Sequence, residues 1–422
     1  MEIFLRRLDR VSIFLCNFAA EMKRARHLLL TVLLLPSTVA WGQYIPLYTS
    51  QNGASLQFNL DRLWSYNLYE HSRWGGGLRW TSAPRKVDGT RIVLDGYLAY
   101  GTHDRQWKGG IGNEIMFGRS THGLTQYINV WRDYQAVGSR QLSSGRYDDP
   151  ASLSAFMNRR MSDQAGVVWG YRWRVRGTEH SIEGRMTVGG RLFNNDRLLY
   201  RLLGDTLVEE DAFLLRWLLK LPQGITMQIE AGGTLPQSNL VARMLAQYDH
   251  AFDIGAFELH TFLQAGITPP NTPYIYMFDL GGTFGAPLYF RNSLLTARPN
   301  EFTANAFTFL SLRFGPSNPL CRLWSPLLQM GTYPVPFVAL HAAWGILWGQ
   351  EADGRLNWDV SELQPPYLGI GEAMAGVDGL FRWGLVDWGL AVAYRLTPPQ
   401  APYHFTQTKD NLALLITAAL IF

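Results

Sequence analysis

The stretch Gly166–Gly177 reads GVVWGYRWRVRG, with Val167, Trp169, Tyr171, Trp173 and Val175 on odd positions and Gly170, Arg172, Arg174 and Arg176 on even ones. Successive side chains of a strand point to opposite faces, so one face would carry aromatics and the other a stack of guanidinium groups. Water on both sides would strand the rings, and a dry core on both would strand the arginines. A wall with hydrocarbon outside and a polar interior suits both.

Composition agrees. The 422 residues are 17% charged and 13% aromatic, with 41 glycines and 15 tryptophans, whereas soluble domains usually run near 25% charged. Beyond residue 42 there is no apolar run of about 18 residues, the length a membrane helix needs. Low charge without such a run is typical of a transmembrane barrel, where apolar and polar residues alternate. A formal charge of +4 on a chain of this length, without a basic patch interleaved with stacking aromatics, gives no reason to expect a nucleic-acid partner.

Lys23, Arg24 and Arg26, the apolar run His27–Pro36 and the small-x-small motif Ala40-Trp41-Gly42 read as a secretory signal removed before Gln43. The expected division is 1–42, N-terminal extension and signal peptide, and 43–422, an outer-membrane β-barrel. Met22 directly precedes the signal, so translation from Met22 is an alternative to Met1. Cys16 then leaves with the signal, and Cys321 alone cannot form an intramolecular disulfide.

Period-two alternation marks Ser181–Leu192, Asp211–Leu221, Gly224–Thr234, Leu240–His250, Gly255–Ile267 and Gly384–Leu396 as two-faced strands. Weaker alternation covers Ala54–Leu63, Trp74–Ala83, Arg91–Gly101, Trp107–Phe117, Gly123–Ala136, Glu301–Phe314, Pro334–Trp348, Pro366–Asp378 and Asn411–Phe422. With the opening stretch this predicts an all-β, antiparallel up-and-down barrel of about 16 strands, about 14 being the alternative. Connection lengths alternate as such barrels require. Pro84–Thr90, Gly118–His122, Gly177–Thr178, Pro222–Gln223, Ala251–Asp253 and Gly379–Trp383 are short. Trp64–Arg73, Val137–Gly166, Asn194–Val208, Thr268–Asn300, Gly349–Pro365 and Thr397–Asp410 are long. Gly315–Tyr333 breaks the rule and is expected to be a plug or flap. A soluble sandwich or propeller also alternates, but it buries its aromatic faces in a second sheet, and no such partner set is visible.

The runs YNLYEHSRWGGGLRW (Tyr66–Trp80), LDGYLAYGTHDRQWKGGIG (Leu94–Gly112) and LGGTFGAPLYFRNSLLTARPNEFTANAF (Leu280–Phe307) resemble an uncharacterised family of outer-membrane barrels in which a carboxypeptidase-regulatory-like sandwich usually precedes the barrel. The resemblance implies the barrel and its location, and no catalytic residue. About ten residues separate the cleavage site from the first expected strand, so that sandwich is not expected here. Leu280–Phe290, between the eleventh and twelfth expected strands, also looks like the reinserting outer loop of the Omp85 assembly and translocation superfamily. That likeness puts Gly281, Gly282, Phe284, Tyr289 and Arg291 in an inserted loop. GTFGAPLYF lacks the superfamily's Arg-Gly-aromatic tip, the next arginine being Arg291.

No G-x-S-x-G, H-E-x-x-H, C-x-x-C or P-loop occurs, and the chain is not expected to be an enzyme. His180 and Ser181 would face opposite sides of a strand, and Ser120 near His122 reads as a turn pair. The expected lumen face carries Arg172, Arg174, Arg176, Glu183, Arg185, Arg191, Glu230, Arg243, Asp249, Glu258, His260, Arg313, His341, Asp387 and Arg395. Mixed signs on neighbouring strands read either as ion-pair ladders that fill the interior or as a charged solute path, favouring anions along Arg172–Arg176 and Arg185–Arg191. A third version has the lumen plugged by Val137–Gly166 and Thr268–Asn300. His260 and His341 have acidic neighbours but do not make a metal site by themselves, and no cofactor is expected. The expected location is the bacterial outer membrane. Expected partners are its lipid, the barrel assembly machinery through C-terminal Phe422, and a protein bound by the outer loops or the 315–333 segment. Expected tasks are permeation of small solutes, or assembly and secretion with an Omp85-like barrel, or a scaffold or lipid-acting hydrolase.

Overall fold

The computed structural model describes residues 44–59, 63–67, 70–118, 122–136, 138, 140, 142, 160–194, 211–235, 240–270, 272–273, 276–280, 294–297, 303–317, 334–347, 367–383, 386–397 and 411–420. The signal segment, Phe422, Cys321 and the inserted-loop candidates Gly281, Gly282, Phe284, Tyr289 and Arg291 lie outside them.

The strands are β1 (Tyr44–Thr49), β2 (Ser55–Asn59), β3 (Trp64–Asn67), β4 (His71–Thr81), β5 (Arg91–Gly101), β6 (Trp107–Met116), β7 (Thr125–Ala136), β8 (Arg160–Val175), β9 (Thr178–Asn194) and β10 (Asp211–Lys220). They continue with β11 (Ile225–Leu235), β12 (Leu240–Ile254), β13 (Phe257–Ile267), β14 (Phe278–Asp279), β15 (Thr303–Ala304), β16 (Ala306–Pro316), β17 (Val335–Ile346), β18 (Tyr367–Trp383), β19 (Val386–Arg395) and β20 (Leu412–Leu420). All but β14 and β15 form one sheet in which each strand pairs antiparallel with its sequence neighbours. β2 and β3 pair successively along β4 and act as one interrupted strand, so the 18 segments of the sheet amount to 17 strands. The fold is the all-β, up-and-down barrel architecture read from the alternation. Among the described residues no ladder joins β20 to β1, β2 or β3.

Every expected strand has a counterpart, and the departures have local causes. β1 is additional: its six residues contain Pro46 and a register shift between Pro46 and Tyr48, so no alternation announces it. β8 begins at Arg160 rather than Gly166, because the shift between Asp163 and Ala165 changes the parity that alternation follows. Ala251–Asp253, expected as a turn, is strand in β12, and the chain reverses at Gly255, whose φ is 64°. Gly379, with φ 62°, makes a bulge inside β18 instead of ending it.

The two faces differ as the opening stretch requires. In β10, Ala212, Leu214, Arg216 and Leu218 are buried while Phe213, Leu215 and Trp217 are exposed. In β8, Trp169 and Tyr171 are 40% and 45% exposed, and Val168 and Gly170 are buried. Trp173 stacks on His180 of β9, with ring centroids 5.4 Å apart. Large exposed apolar side chains recur outward on β4 to β8, β10, β12, β13, β17 and β19. Such a continuous apolar surface is costly in water at about 25 cal/mol per Å² and is what a hydrocarbon-facing wall presents.

Candidate functional site

The inner face holds a rung of residues directly opposite one another on six consecutive strands: Tyr127 (β7), Gly170 (β8), Glu183 (β9), Arg216 (β10), Glu230 (β11) and Arg243 (β12). Arg216 Nη1 reaches Glu183 Oε1 at 2.5 Å and Nε reaches Glu230 Oε2 at 2.8 Å. The Tyr127 hydroxyl donates to Glu183 Oε2 at 2.8 Å, passing over Gly170. A Cβ at Gly170 would come within 2.8 Å of that hydroxyl and 2.9 Å of Glu183 Cβ, so the glycine is what lets the rung close. Both carboxylates and the guanidinium are buried. A buried charge persists only when paired and hydrogen-bonded, which the alternating signs accomplish.

A second buried network sits at the long-loop end of β4 to β7. Arg73 holds Asp133 through two parallel contacts of 2.6 Å and Glu70 at 3.3 Å. Lys108 reaches Glu70 at 3.1 Å and also contacts Asp104. The Tyr97 hydroxyl donates to Asp133 at 2.5 Å, and that of Tyr134 to Asp104 at 3.2 Å.

The two long loops expected as plugs enter the interior with their described parts. Met277, Phe278, Leu280, Leu294, Leu295 and Ala297 are buried. Several of them join Leu245, Phe262, Phe309, Ala343 and Ile370 of the wall in one apolar cluster. β14 and β15 pair with each other across this connection. The β7–β8 loop meets it: Asp279 N donates to Gly138 O at 3.0 Å. Gly138 has φ 74°, and a Cβ there would lie 2.9 Å from Asp279 Cβ, so only glycine fits both requirements. Arg140 is buried over the rings of Phe307 and Phe309, and its Nη1 donates to Gln264 Oε1 at 3.3 Å. Burial pulls its pKa down to about 10, with Asp279 acting in the opposite sense.

Glu372 of β18 fastens the loop to the wall. Its Oε1 accepts Leu295 N at 2.8 Å and lies 2.8 Å from His341 Nδ1, while Oε2 accepts Thr296 N at 2.9 Å and Thr296 Oγ1 at 2.8 Å. Three donors on one buried carboxylate, with the His341 ring nitrogen beside them, make a strong, charge-assisted latch.

The remaining expected lumen residues are placed as follows. Arg172 lies over the Tyr127 ring and Arg185 over that of Trp131. Arg174 pairs with Glu179 at 3.2 Å on an exposed rim. Arg176, expected on the inner face, instead forms with Gly177 a two-residue hairpin turn, both at positive φ, the geometry that matches strand twist. Arg243 lies over Phe278, Glu258 contacts His260, and Arg313 contacts Asp378 and lies over Phe337. Asp249 is exposed near the end of β12. Arg395 is buried and stands opposite Glu372. Arg191 and Asp387 are in strands, but their side chains lie outside the described residues. Among the described residues no group of three metal-ligating side chains converges. Sequence reasoning missed Arg216, Glu70, Arg73, Lys108, Asp133 and Glu372. In Arg216 and Glu372 the available signal was a charge in the middle of an otherwise apolar or glycine-rich run.

No protein-family model and no curated protein matches the chain, so the family resemblance rests on the quoted residues alone. Among solved structures, the chain is similar to BamA from Haemophilus ducreyi lacking POTRA domains 1–3, at a TM-score of 0.47 and 12% identity over 87% of this chain and 70% of that one. It is also similar to CdiB from Escherichia coli, at 0.43 and 11% over 84% of this chain and 60% of that one. A bacterial polysaccharide outer membrane secretin matches at 0.32 and 9%, over 87% and 97%.

Proposed function

We propose that the protein is a bacterial outer-membrane barrel that passes small solutes through a lumen gated by its own loops. The latch carries this reading: a buried carboxylate on the wall spends both oxygens on the backbone of an inserted loop. The segment is also packed against the wall through Leu294 and Ala297, and the carboxylate is the polar part of that hold, whose loss would bias the segment toward release and open the gate. The outward apolar surface supports the membrane setting. The anion preference is not carried forward, because Arg172 and Arg185 lie over aromatic rings and Arg174 faces Glu179. The reading is non-catalytic, in keeping with Ser181 on the buried face and His180 stacked on Trp173 of the other. Planar-bilayer recording of purified protein tests it. The native chain should be mostly closed, and Glu372→Ala should raise open probability by about tenfold or more, since one hydrogen bond to a charged group is worth ~1.5–3 kcal/mol. Equal, steady conductance from both proteins would remove the gate, and no current from either after verified insertion would remove permeation.

A second reading, assembly or secretion with an Omp85-like barrel, is favoured by one observation: the connection between β13 and β16 turns back into the interior. It also accommodates a protein partner at the outer loops or the 315–333 segment, and recognition of Phe422 during the chain's own insertion. Depletion that lowers other outer-membrane or secreted proteins, with permeability unchanged, would favour this reading over the first.

A further inference from the structure

We propose that a notch in the wall, at the long-loop end of β11, β12 and β13, binds one acyl chain of a membrane lipid. The proposal rests on the membrane setting given above, and not on the gate. The β12–β13 ladder ends at Met244 opposite Ile267, whereas the β11–β12 ladder continues to Gly233 opposite Leu240. Among the described residues, β12 over Leu240–Arg243 therefore has a strand on one side only. The chain leaves the wall at Thr268, whose N–H donates to Asn305 O at 2.7 Å. It then runs through Pro269 and Pro270, which have no N–H with which to extend a ladder.

The result is a groove of about 660 Å³ lined by Ile229, Ala231, Ala242, Met244, Ile267 and Pro269. Ile229, Met244 and Ile267 are 39%, 41% and 47% exposed, which puts the groove on the outward face. Ala231 and Ala242 leave its floor low, between the larger side chains at its edges. Glu230 and Arg243 border it but belong to the inner rung, where Glu230 is held by Arg216. A ligand there would meet little that forms hydrogen bonds, so the groove selects for an elongated apolar group. Its rim is continuous with the outward apolar surface, so the hydrocarbon beside that surface is its natural occupant. The groove is open along its outward side, and a chain lying on its alanine floor between Ile229, Met244 and Ile267 gains side contacts that a flat wall does not offer.

Photolabelling tests this. The full chain is reconstituted in phosphatidylethanolamine and phosphatidylcholine vesicles containing a phospholipid with a mid-chain diazirine, and labelled peptides are mapped by mass spectrometry. Labelling at Ala242, Met244 and Pro269–Pro270 should exceed that at the outward residues Val130, Leu215 and Leu340 several-fold. It should fall to their level in Ala242→Trp, or in Ala231→Phe should the first variant fail to insert. Even labelling of all outward residues would overturn the site, as would enrichment that survives filling the groove. Enrichment with a diazirine fatty acid but not with the phospholipid would overturn the lipid assignment. Absence of label from every outward residue would overturn the membrane setting along with the site.

Discussion

At the scale of single residues, the interior is governed by the cost of leaving a charge alone. Arg216 touches two carboxylates on neighbouring strands, so Arg216→Met leaves Glu183 and Glu230 buried without it. Breaking a buried pair in this way costs about 3–5 kcal/mol. We expect the single variant to lose that much in urea-driven unfolding from vesicles, and the triple variant Arg216→Met, Glu183→Gln, Glu230→Gln to recover most of it. A triple variant no more stable than the single one would show that the rung is not an electrostatic unit. The sequence placed Glu183, Glu230 and Arg243 together by parity, because alternation says which face a residue occupies. It did not reveal Arg216 as the shared partner of the two carboxylates, because facing residues are decided by register, and register depends on hairpin geometry across three strands. Arg216 shares its face in DAFLLRWLLK with Ala212, Leu214 and Leu218, so that face did not read as polar and Arg216 was not singled out. Glu372 was hidden in the same way by the glycines and alanines of GIGEAMAG.

At the scale of elements, the strands were legible wherever one face is continuously apolar, as in β10, β11 and β19. Parity failed at the two wall bulges in β8 and β18, where an extra residue shifts the faces. β1 carried no signal, and β3 falls within the expected long loop Trp64–Arg73. Among the described residues β1 pairs with β2 alone, and is tied across the inner face by the Tyr44 hydroxyl donating to Asp95 at 3.1 Å and by Arg79 lying over the Tyr44 ring. An edge strand of six residues held on one side contributes little to the ladder. Removal of residues 44–49 should therefore leave a barrel that still inserts and still shows heat-dependent gel mobility, with a modestly lower unfolding midpoint. Failure to insert would mean that β1 is integral to closing the wall.

At the scale of the whole molecule, the two faces of the sheet answer to two solvents. Outside, Trp169, Tyr171, Phe213, Leu215, Val338 and Trp344 project from strands far apart in sequence. Inside, charged rungs and two inserted loops satisfy one another. This division was visible in twelve residues; the two plugging loops were legible from their length as one of several readings, whereas the contacts that seat them, such as Gly138 with Asp279, were not, since they join distant loops. The most direct test is a nitroxide scan of Val167–Trp173 in vesicles, measuring collisions with oxygen and with a water-soluble nickel chelate. Gly170, which admits no side chain, is left unlabelled. A period of two is predicted at the other positions, with labels at 169 and 171 open to oxygen and shielded from nickel, and labels at 168 and 172 shielded from the lipid-dissolved oxygen. Labels at 169 and 171 reached freely by the nickel chelate, with 168 and 172 in the lipid, would contradict the account.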